Sequence, residues 1–298
     1  MSRLVEECAA CGSRSLVPHL QVAGEVDADG LIPTAKQFGT ALGNIVKCTS
    51  CTHMQLDRFP DDEELDAAYA EAASDDYVEE EAGQRASFGN VLDHVEQHVP
   101  KGRILDIGCW VGFLLAVAQD RGWEECIGLE PSDFASGFAR ERGLDVRQEG
   151  LLEADLPLGH FDAVCMGDVL EHLTDTATSL ARMRALLAPG GVLVLAVPDA
   201  GSRIARILGK RWWSVIPTHI HYFTKQSLAT MLANAGFEVI EQATDPKAFT
   251  FEYYLDKGSG YLPGVSKLLV RMARRMRLAD RMWTPDFRDR LLVIARPA

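Results

Sequence analysis

Four cysteines near the N-terminus stand in two Cys-x-x-Cys pairs, Cys8 with Cys11 and Cys48 with Cys51. Two intervening residues let both thiolates of a pair turn back onto one ion, and two such knuckles close a tetrahedral four-cysteine zinc site. His19 and His53 are substitute ligands, but four sulfurs already complete the shell. A complete shell leaves no position for a reacting water, so the expected zinc is structural. The intervening residues 12–47 have room for a small hairpin layer.

Three further constellations could do chemistry. In Asp106-Ile107-Gly108-Cys109-Trp110-Val111-Gly112, two glycines bracket a turn where backbone must approach a ligand closely. Glu130 closes the next apolar run, where an acid can accept hydrogen bonds from ribose hydroxyls. In Asp168-x-x-Glu171-His172, spacings of three and four would put all three side chains on one helical face. The segment Trp212 to Phe223 carries His219 and His221. A neutral imidazole with a pKa near 6.5 suits proton removal from a hydroxyl, a poor nucleophile at neutral pH.

The elements that must position these groups alternate. Arg103–Ile107, Cys126–Glu130, Leu144–Arg147, Phe161–Met166, Val192–Val197, Phe237–Ile240 and Arg290–Ala295 read as strands. Helices are expected over residues 113–121, 133–142, 175–187 and 225–235, with Gly236 as a C-cap. That alternation predicts an α/β fold with a doubly wound, mostly parallel sheet of seven strands, binding its ligand outside the carboxyl ends of the strands. Residues 1–57 are expected as the zinc-ribbon-like module and 58–100 as a helical lid or linker. Residues 101–298 form the main domain, with a basic helical insertion at about 250–287.

The 298 residues carry a net charge of −13 and are 47% hydrophobic, enough for a sizeable core. Twelve acids and one base lie between Asp57 and Glu81, whereas Lys267 to Arg281 holds six bases against Asp280. An acidic whole argues against a nucleic-acid partner. In the basic stretch, Leu268, Leu269, Met272 and Met276 line one helical face and arginines another. Such a helix either packs on its own domain or touches an anionic membrane. Cys109, Cys126 and Cys165 sit in apolar contexts and are expected to pack. The acidic N-terminus and the cysteine usage fit a cytoplasmic protein, peripheral at the inner membrane face if the basic helix touches lipid.

Asp106-x-Gly108-x-x-x-Gly112, Glu130, Phe161-Asp162, Leu170-Glu171-His172-Leu173 and Pro189-Gly190-Gly191 together resemble class I S-adenosylmethionine-dependent methyltransferases, which have a Rossmann-like fold. The resemblance covers about Lys101 to Ile240 plus the last strand, and favours this family over its dinucleotide-binding cousins. It implies that Asp106, Gly108, Trp110 and Gly112 surround the amino-acid half of the cofactor and that Glu130 holds the ribose. Pro131, Leu151 and Leu152 would flank the adenine, and Gly167 and Asp168 would lie nearest the methyl. The family usually has glycine where this chain has Trp110, so the turn differs or the ring lines the site.

Asp168-x-x-Glu171-His172 is similar to the Glu-x-x-Glu-His motif of ubiquinone-pathway O-methyltransferases, which can take a divalent cation. The alternative is a Glu–His pair that fixes the active-site loop. The segment ending in Phe223 is similar to the His-x-x-x-Phe segment of polysaccharide-pathway enzymes. It also resembles the His-Glu-His-x-x-Tyr-Phe segment of deoxysugar C-methyltransferases, which carry a four-cysteine zinc module too. Matching on Phe223 places His219 on their catalytic histidine, with His221 and His172 as further candidates. Ile220 replaces their glutamate and their further C-terminal domain is largely absent, which puts O-methylation ahead of C-methylation. Tyr69 and Tyr77 lie on the acidic segment that serves such enzymes as a lid, with Tyr77 a candidate near the acceptor. The expected activity is O-methylation of a sugar hydroxyl in a surface glycan or glycosylated natural product, with His219 as general base. A sugar C-methyltransferase, an O-methyltransferase of a quinone-like phenol or other small metabolite, and a non-catalytic cofactor-sensing zinc protein are the alternatives.

Overall fold

The computed structural model describes residues 3–24, 38–60 and 80–298. Its N-terminal part pairs β1 (Arg3–Leu4) with β5 (Arg58–Phe59), and builds a second sheet from β2 (Leu16–Leu20), β3 (Ile45–Cys48) and β4 (Met54–Leu56). Then come α1 (Glu81–Val95), β6 (Arg103–Ile107), α2 (Phe113–Asp120), β7 (Glu125–Leu129), α3 (Asp133–Glu141), β8 (Asp145–Arg147) and β9 (Phe161–Gly167). A 3-10 turn (Leu170–His172) leads to α4 (Thr176–Leu186), β10 (Leu187–Pro198) and α5 (Arg203–Leu208). β11 (His221–Tyr222), α6 (Lys225–Asn234) and β12 (Phe237–Thr244) follow. The insertion holds β13 (Phe249–Thr250), α7 (Phe251–Lys257), α8 (Pro263–Arg275) and β14 (Met282–Trp283), and β15 (Arg290–Pro297) ends the chain.

The central sheet has seven strands in the order β12-β15-β10-β9-β6-β7-β8, and only β15 runs against the rest. Successive strand residues point to opposite faces, and because both faces are covered the strands are buried along nearly their whole length. Ile104, Cys126, Ala163, Cys165, Val192 and Val194 meet α1, α2 and α3 through Leu92, Leu115 and Ala139. Leu105, Ile127, Val164, Met166, Leu193 and Leu195 meet α4 and α6 through Leu180, Met183 and Leu228. The three lone cysteines are buried, as expected of packing residues. The chain order reverses between β6 and β9, which opens a crevice beyond their carboxyl ends. Strand β10 begins earlier than the sequence predicts and takes in Pro189-Gly190-Gly191 as a bulge against β9. Gly191 permits that approach, since a Cβ there would lie 2.8 Å from the Phe161 carbonyl oxygen.

Residues 61–79 of the lid expected over 58–100 lie outside the described residues. Its described end, α1, is a framework helix with Val91, Leu92 and Val95 buried. The cysteine layer is tied to the rest of the chain. Strand β11 adds to it antiparallel, pairing His221 with Gln55 and Tyr222 with Met54, in the order β11-β4-β3-β2. Cys8, Cys48 and Cys51 lie in the same core as Phe223 and Leu228.

Candidate active site

The turn after β6 runs through left-handed backbone three times, at Gly108 (φ 69°), Trp110 (φ 49°) and Gly112 (φ 78°). Trp110 therefore occupies a conformation that glycine adopts freely and a bulky side chain adopts at a cost of about 1–3 kcal/mol. Of the two alternatives for Trp110, the turn does not differ, because the backbone follows the glycine path, and Trp110 lines the cavity. A Cβ on Gly108 would lie 2.4 Å from Val169 Cγ2, and one on Gly112 2.5 Å from Leu144 Cδ1, so neither position admits a side chain without movement. Glu130 braces the turn: its Oε2 accepts from the Trp110 amide at 2.9 Å and its Oε1 from the Ser132 amide at 2.9 Å. Its remaining lone pairs are open to donors from a ligand. Burial raises the Glu130 carboxyl, and raises Asp106 to about 8 with the Glu130 charge assisting.

A cavity of about 1370 Å³ extends from this turn, larger than the usual 300–1000 Å³ of a small-molecule pocket. Asp106, Gly108, Trp110, Glu130, Pro131, Leu151, Leu152, Gly167, Asp168, His172 and His219 all line it. Gly112 shapes the turn from behind, as the N-cap of α2. Tyr77, like Tyr69, lies outside the described residues.

His219 and Glu171 form the chemically sharpest pair. Glu171 is 1% exposed, neither carboxylate oxygen has a hydrogen-bond partner among the described residues, and Oε1 stands 3.9 Å from His219 Nε2. Burial raises the Glu171 carboxyl to about 8, with the Asp168 charge adding to it. Burial and neighbouring His172 hold His219 well below the ordinary histidine range, against a hydrogen bond with the Ser214 backbone. His219 is thus neutral. His172 packs edge-on to it, 4.6 Å between ring centres, and its Nδ1 donates to the Thr218 carbonyl at 2.8 Å. His221 plays a different part. Its Nε2 meets the Leu173 carbonyl at 3.0 Å and its Nδ1 meets His53 Nε2 at 3.2 Å. One ring nitrogen ties β11 to the Leu173 backbone after the 3-10 turn and the other to the cysteine layer, and the ring does not line the cavity.

Asp168 departs from the helical face that its spacing suggests. It takes left-handed backbone (φ 56°), and only Leu170–His172 forms a short 3-10 turn. Its carboxylate faces the cavity, 44% exposed, and accepts from Arg290 at 2.6 Å, with Lys247 3.7 Å away. Asp245 joins both cations at 3.0 Å. Burial would raise the Asp168 carboxyl, but Arg290 and Lys247 outweigh it and hold it below the usual range. The ligand atoms that converge are those of Glu171, His172 and His219, all within 4.8 Å of one another. A divalent cation here would use His219 in place of Asp168.

The sequence reading missed Lys247, Asp245 and Arg290, and Tyr253, Tyr254 and Tyr261, all of which line the cavity. Arg290 gave the one available signal, a base opening an otherwise apolar strand. At the other end, the sulfurs of Cys8, Cys11, Cys48 and Cys51 lie within 4.8 Å of one another, with Cys8–Cys51 at 3.5 Å and Cys11–Cys48 at 3.6 Å. Four thiolates about 2.3 Å from a tetrahedral zinc would stand about 3.8 Å apart. The cluster therefore fits zinc after small adjustment.

Comparison with known proteins agrees with this architecture. A family described as a methyltransferase domain matches residues 77–242. A probable S-adenosylmethionine-dependent methyltransferase of Mycolicibacterium smegmatis is 31% identical over 138 residues, covering 46% of this chain and 52% of that protein. A ubiquinone biosynthesis O-methyltransferase of Rhodopseudomonas palustris is 36% identical over 154 residues, covering 47% and 60%. The chain thus spans little more than half the length of these curated relatives. Among solved structures, a SAM-dependent methyltransferase of Thermotoga maritima, described as a possible histamine N-methyltransferase, has a TM-score of 0.51 at 20% identity, covering 75% of this chain and 95% of that one. A SAM-dependent methyltransferase of Archaeoglobus fulgidus has a TM-score of 0.51 at 18% identity, covering 74% and 99%. At that identity the likeness speaks to the fold. The family match covers more than half of the chain, and the chain belongs to that methyltransferase family.

Proposed function

We propose that this member of the methyltransferase family O-methylates a hydroxyl on a ring acceptor, a sugar in the first reading, with His219 as general base. The observation that carries it is one cavity with the Gly108–Glu130 turn on one wall and His219, backed by Glu171, on another. S-adenosylmethionine, when bound, supplies an electrophilic methyl carbon on sulfur. The turn backbone and Glu130 would hold that cofactor. Neutral His219 takes the proton of the acceptor hydroxyl as the oxygen–carbon bond forms, while the carbon–sulfur bond breaks and its electron pair stays on sulfur. Glu171, once ionised above about pH 8, stabilises the resulting imidazolium by its charge. Asp168, Arg290 and Lys247 offer hydrogen bonds to further hydroxyls, and the tyrosines that line the cavity offer ring faces for a sugar to stack on. The histidine segment and the four-cysteine layer together support the sugar reading.

A second acceptor, a quinone-like phenol, draws support from the aromatic side chains that line the cavity and from the relatives named as ubiquinone biosynthesis O-methyltransferases. The two readings separate on one variant. His219→Ala should keep cofactor affinity while kcat falls by roughly 10²–10⁴, the usual share of general acid–base catalysis. For a sugar the loss persists at every pH. For a phenol, which ionises near about 10, alkaline conditions should restore much of the rate. Turnover is followed as S-adenosylhomocysteine release with glycosides and catechols as acceptors, at several pH values and with added chelator. Wild-type kcat in His219→Ala would remove the base assignment. Activity that a chelator abolishes with zinc retained would instead place a divalent cation on Glu171, His172 and His219.

A further inference from the structure

Helix α8 has three faces rather than two. Each residue advances the helix by about 100°, which sorts the side chains into arcs. Ser266 and Ala273 are buried and Val270 half-buried, so one narrow arc of small residues packs inward. Ser266 Oγ donates to the Leu255 carbonyl at 2.5 Å, and Arg274 pairs with Glu252, which fixes α8 on the outer side of α7. Beside that arc lies an apolar one of Val265, Leu268, Leu269, Met272 and Met276. All five are exposed: Leu268 is 55% open and Met272 49%. Beyond it lies a basic arc of Lys267, Arg271 and Arg275, also exposed. A helix that served only to roof the domain would turn its apolar arc inward. This one turns it out.

We propose that α8 docks this protein onto an anionic lipid bilayer, with the apolar arc in the headgroup–acyl boundary and the basic arc against the headgroups. Two observations select that occupant. The chain is strongly acidic, yet Lys267 to Arg281 carries six bases against one acid, so the charge is concentrated where the apolar side chains emerge. A second copy of this helix, paired about a two-fold axis, would set those same bases against each other. The same insertion exposes Trp283, a residue type that concentrates at headgroup depth. It also places the docking surface beside the reaction chamber, because Tyr253, Tyr254 and Tyr261, on α7 and the turn after it, line the cavity. The proposal stands independently of the methyl-transfer reading.

Flotation of the full chain with lipid vesicles tests it. Vesicles of phosphatidylcholine with phosphatidylglycerol should carry the protein, pure phosphatidylcholine should not, and added salt should release it. Arg271→Gln and Arg275→Gln should each lower partitioning roughly fivefold. Leu268→Glu with Met272→Glu should lower it by more than roughly tenfold. All four side chains are solvent-exposed, so an unchanged melting temperature identifies folded variants. Failure to float with the anionic vesicles, or flotation that the Leu268→Glu/Met272→Glu variant retains, would overturn the proposal. A dimer in sedimentation that this variant dissociates would also overturn it and assign the face to a second copy. Neither result bears on whether His219→Ala loses turnover.

Discussion

Burial pushes both Asp106 and Glu171 up to about 8, and the same protons that prepare the site make the fold pH-sensitive. An acid whose folded pKa lies above its unfolded value of about 4 binds its proton more tightly when folded. Its contribution to stability is complete below about pH 4 and is lost as pH rises through about 8. The buried histidines act oppositely: His172 and His221 are lowered to about 4, and their cost is gone above about pH 6.5, where unfolded histidine is neutral too. Between about pH 6.5 and 8.5 the two acids draw stability down as pH rises. The ligand-free protein should lose melting temperature across that window, and Glu171→Gln should flatten the decline. A flat wild-type profile would mean that water reaches Glu171 freely. Trp110 teaches a related lesson in geometry. Its residue type signals a broken turn, yet φ stays left-handed, because Gly108 and Gly112 on either side and the Glu130 carboxylate fix the backbone path.

At the scale of elements, β11 is a two-residue strand that settles where His219 goes. It pairs with β4, whose neighbour β3 ends in Cys48, and the Ile220 amide donates to the Glu171 carbonyl at 3.0 Å. His221 clamps the same junction through His53, and Thr52 meets Thr224 at 2.7 Å. None of this was legible from sequence. Pairing between segments so far apart in the chain leaves no periodic trace in a strand of two, and His221 there looks like a catalytic candidate. The strands of the central sheet and the helices α2, α3, α4 and α6 were legible, because buried parallel strands are unbroken apolar runs and their helices carry capping residues such as Asp175 and Thr224, whereas α5 was not. Helix α8 was legible as amphipathic, but not in which arc packs. If the cysteine layer positions the histidine loop, Cys48→Ser or zinc removal should depress kcat by roughly tenfold or more, within the range that misplaced catalytic groups cost. Cofactor affinity should change little, since Glu130 and the turn lie on other elements. Calorimetric titration with S-adenosylhomocysteine beside a turnover assay checks this. A parallel loss of both would mean that the layer supports the whole fold without favouring the loop.

Across the whole molecule, the expected division into a zinc module and a catalytic domain predicts two melting units, and the packing predicts one. Cys8, Ala10, Cys48 and Cys51 share a core with Leu193, Leu195, Phe223, Leu228 and Leu232, so one face of the central sheet is completed by the cysteine layer. Asn234 on α6 donates to the Ala10 carbonyl at 3.0 Å, a link between residues 224 apart in sequence. Separating the layer would expose apolar surface at about 25 cal/mol per Å², on a domain whose total stability is of the order of 5–15 kcal/mol. Metal binding adds to the stability of any state that holds the ligands together and nothing to one that does not. If the four cysteines hold zinc, stripping it with a chelator should therefore lower the midpoint of a single cooperative transition by several degrees. It should not melt a small early step and leave the remainder unchanged. Differential scanning calorimetry with and without chelator distinguishes the outcomes, and a chelator-sensitive first transition ahead of an unmoved second would show that the cysteine layer folds alone. The same coupling carries a chemical consequence: the sheet that holds the cofactor turn and the strand that carries the histidines are stabilised by one core, so they hold their relative positions until that core opens.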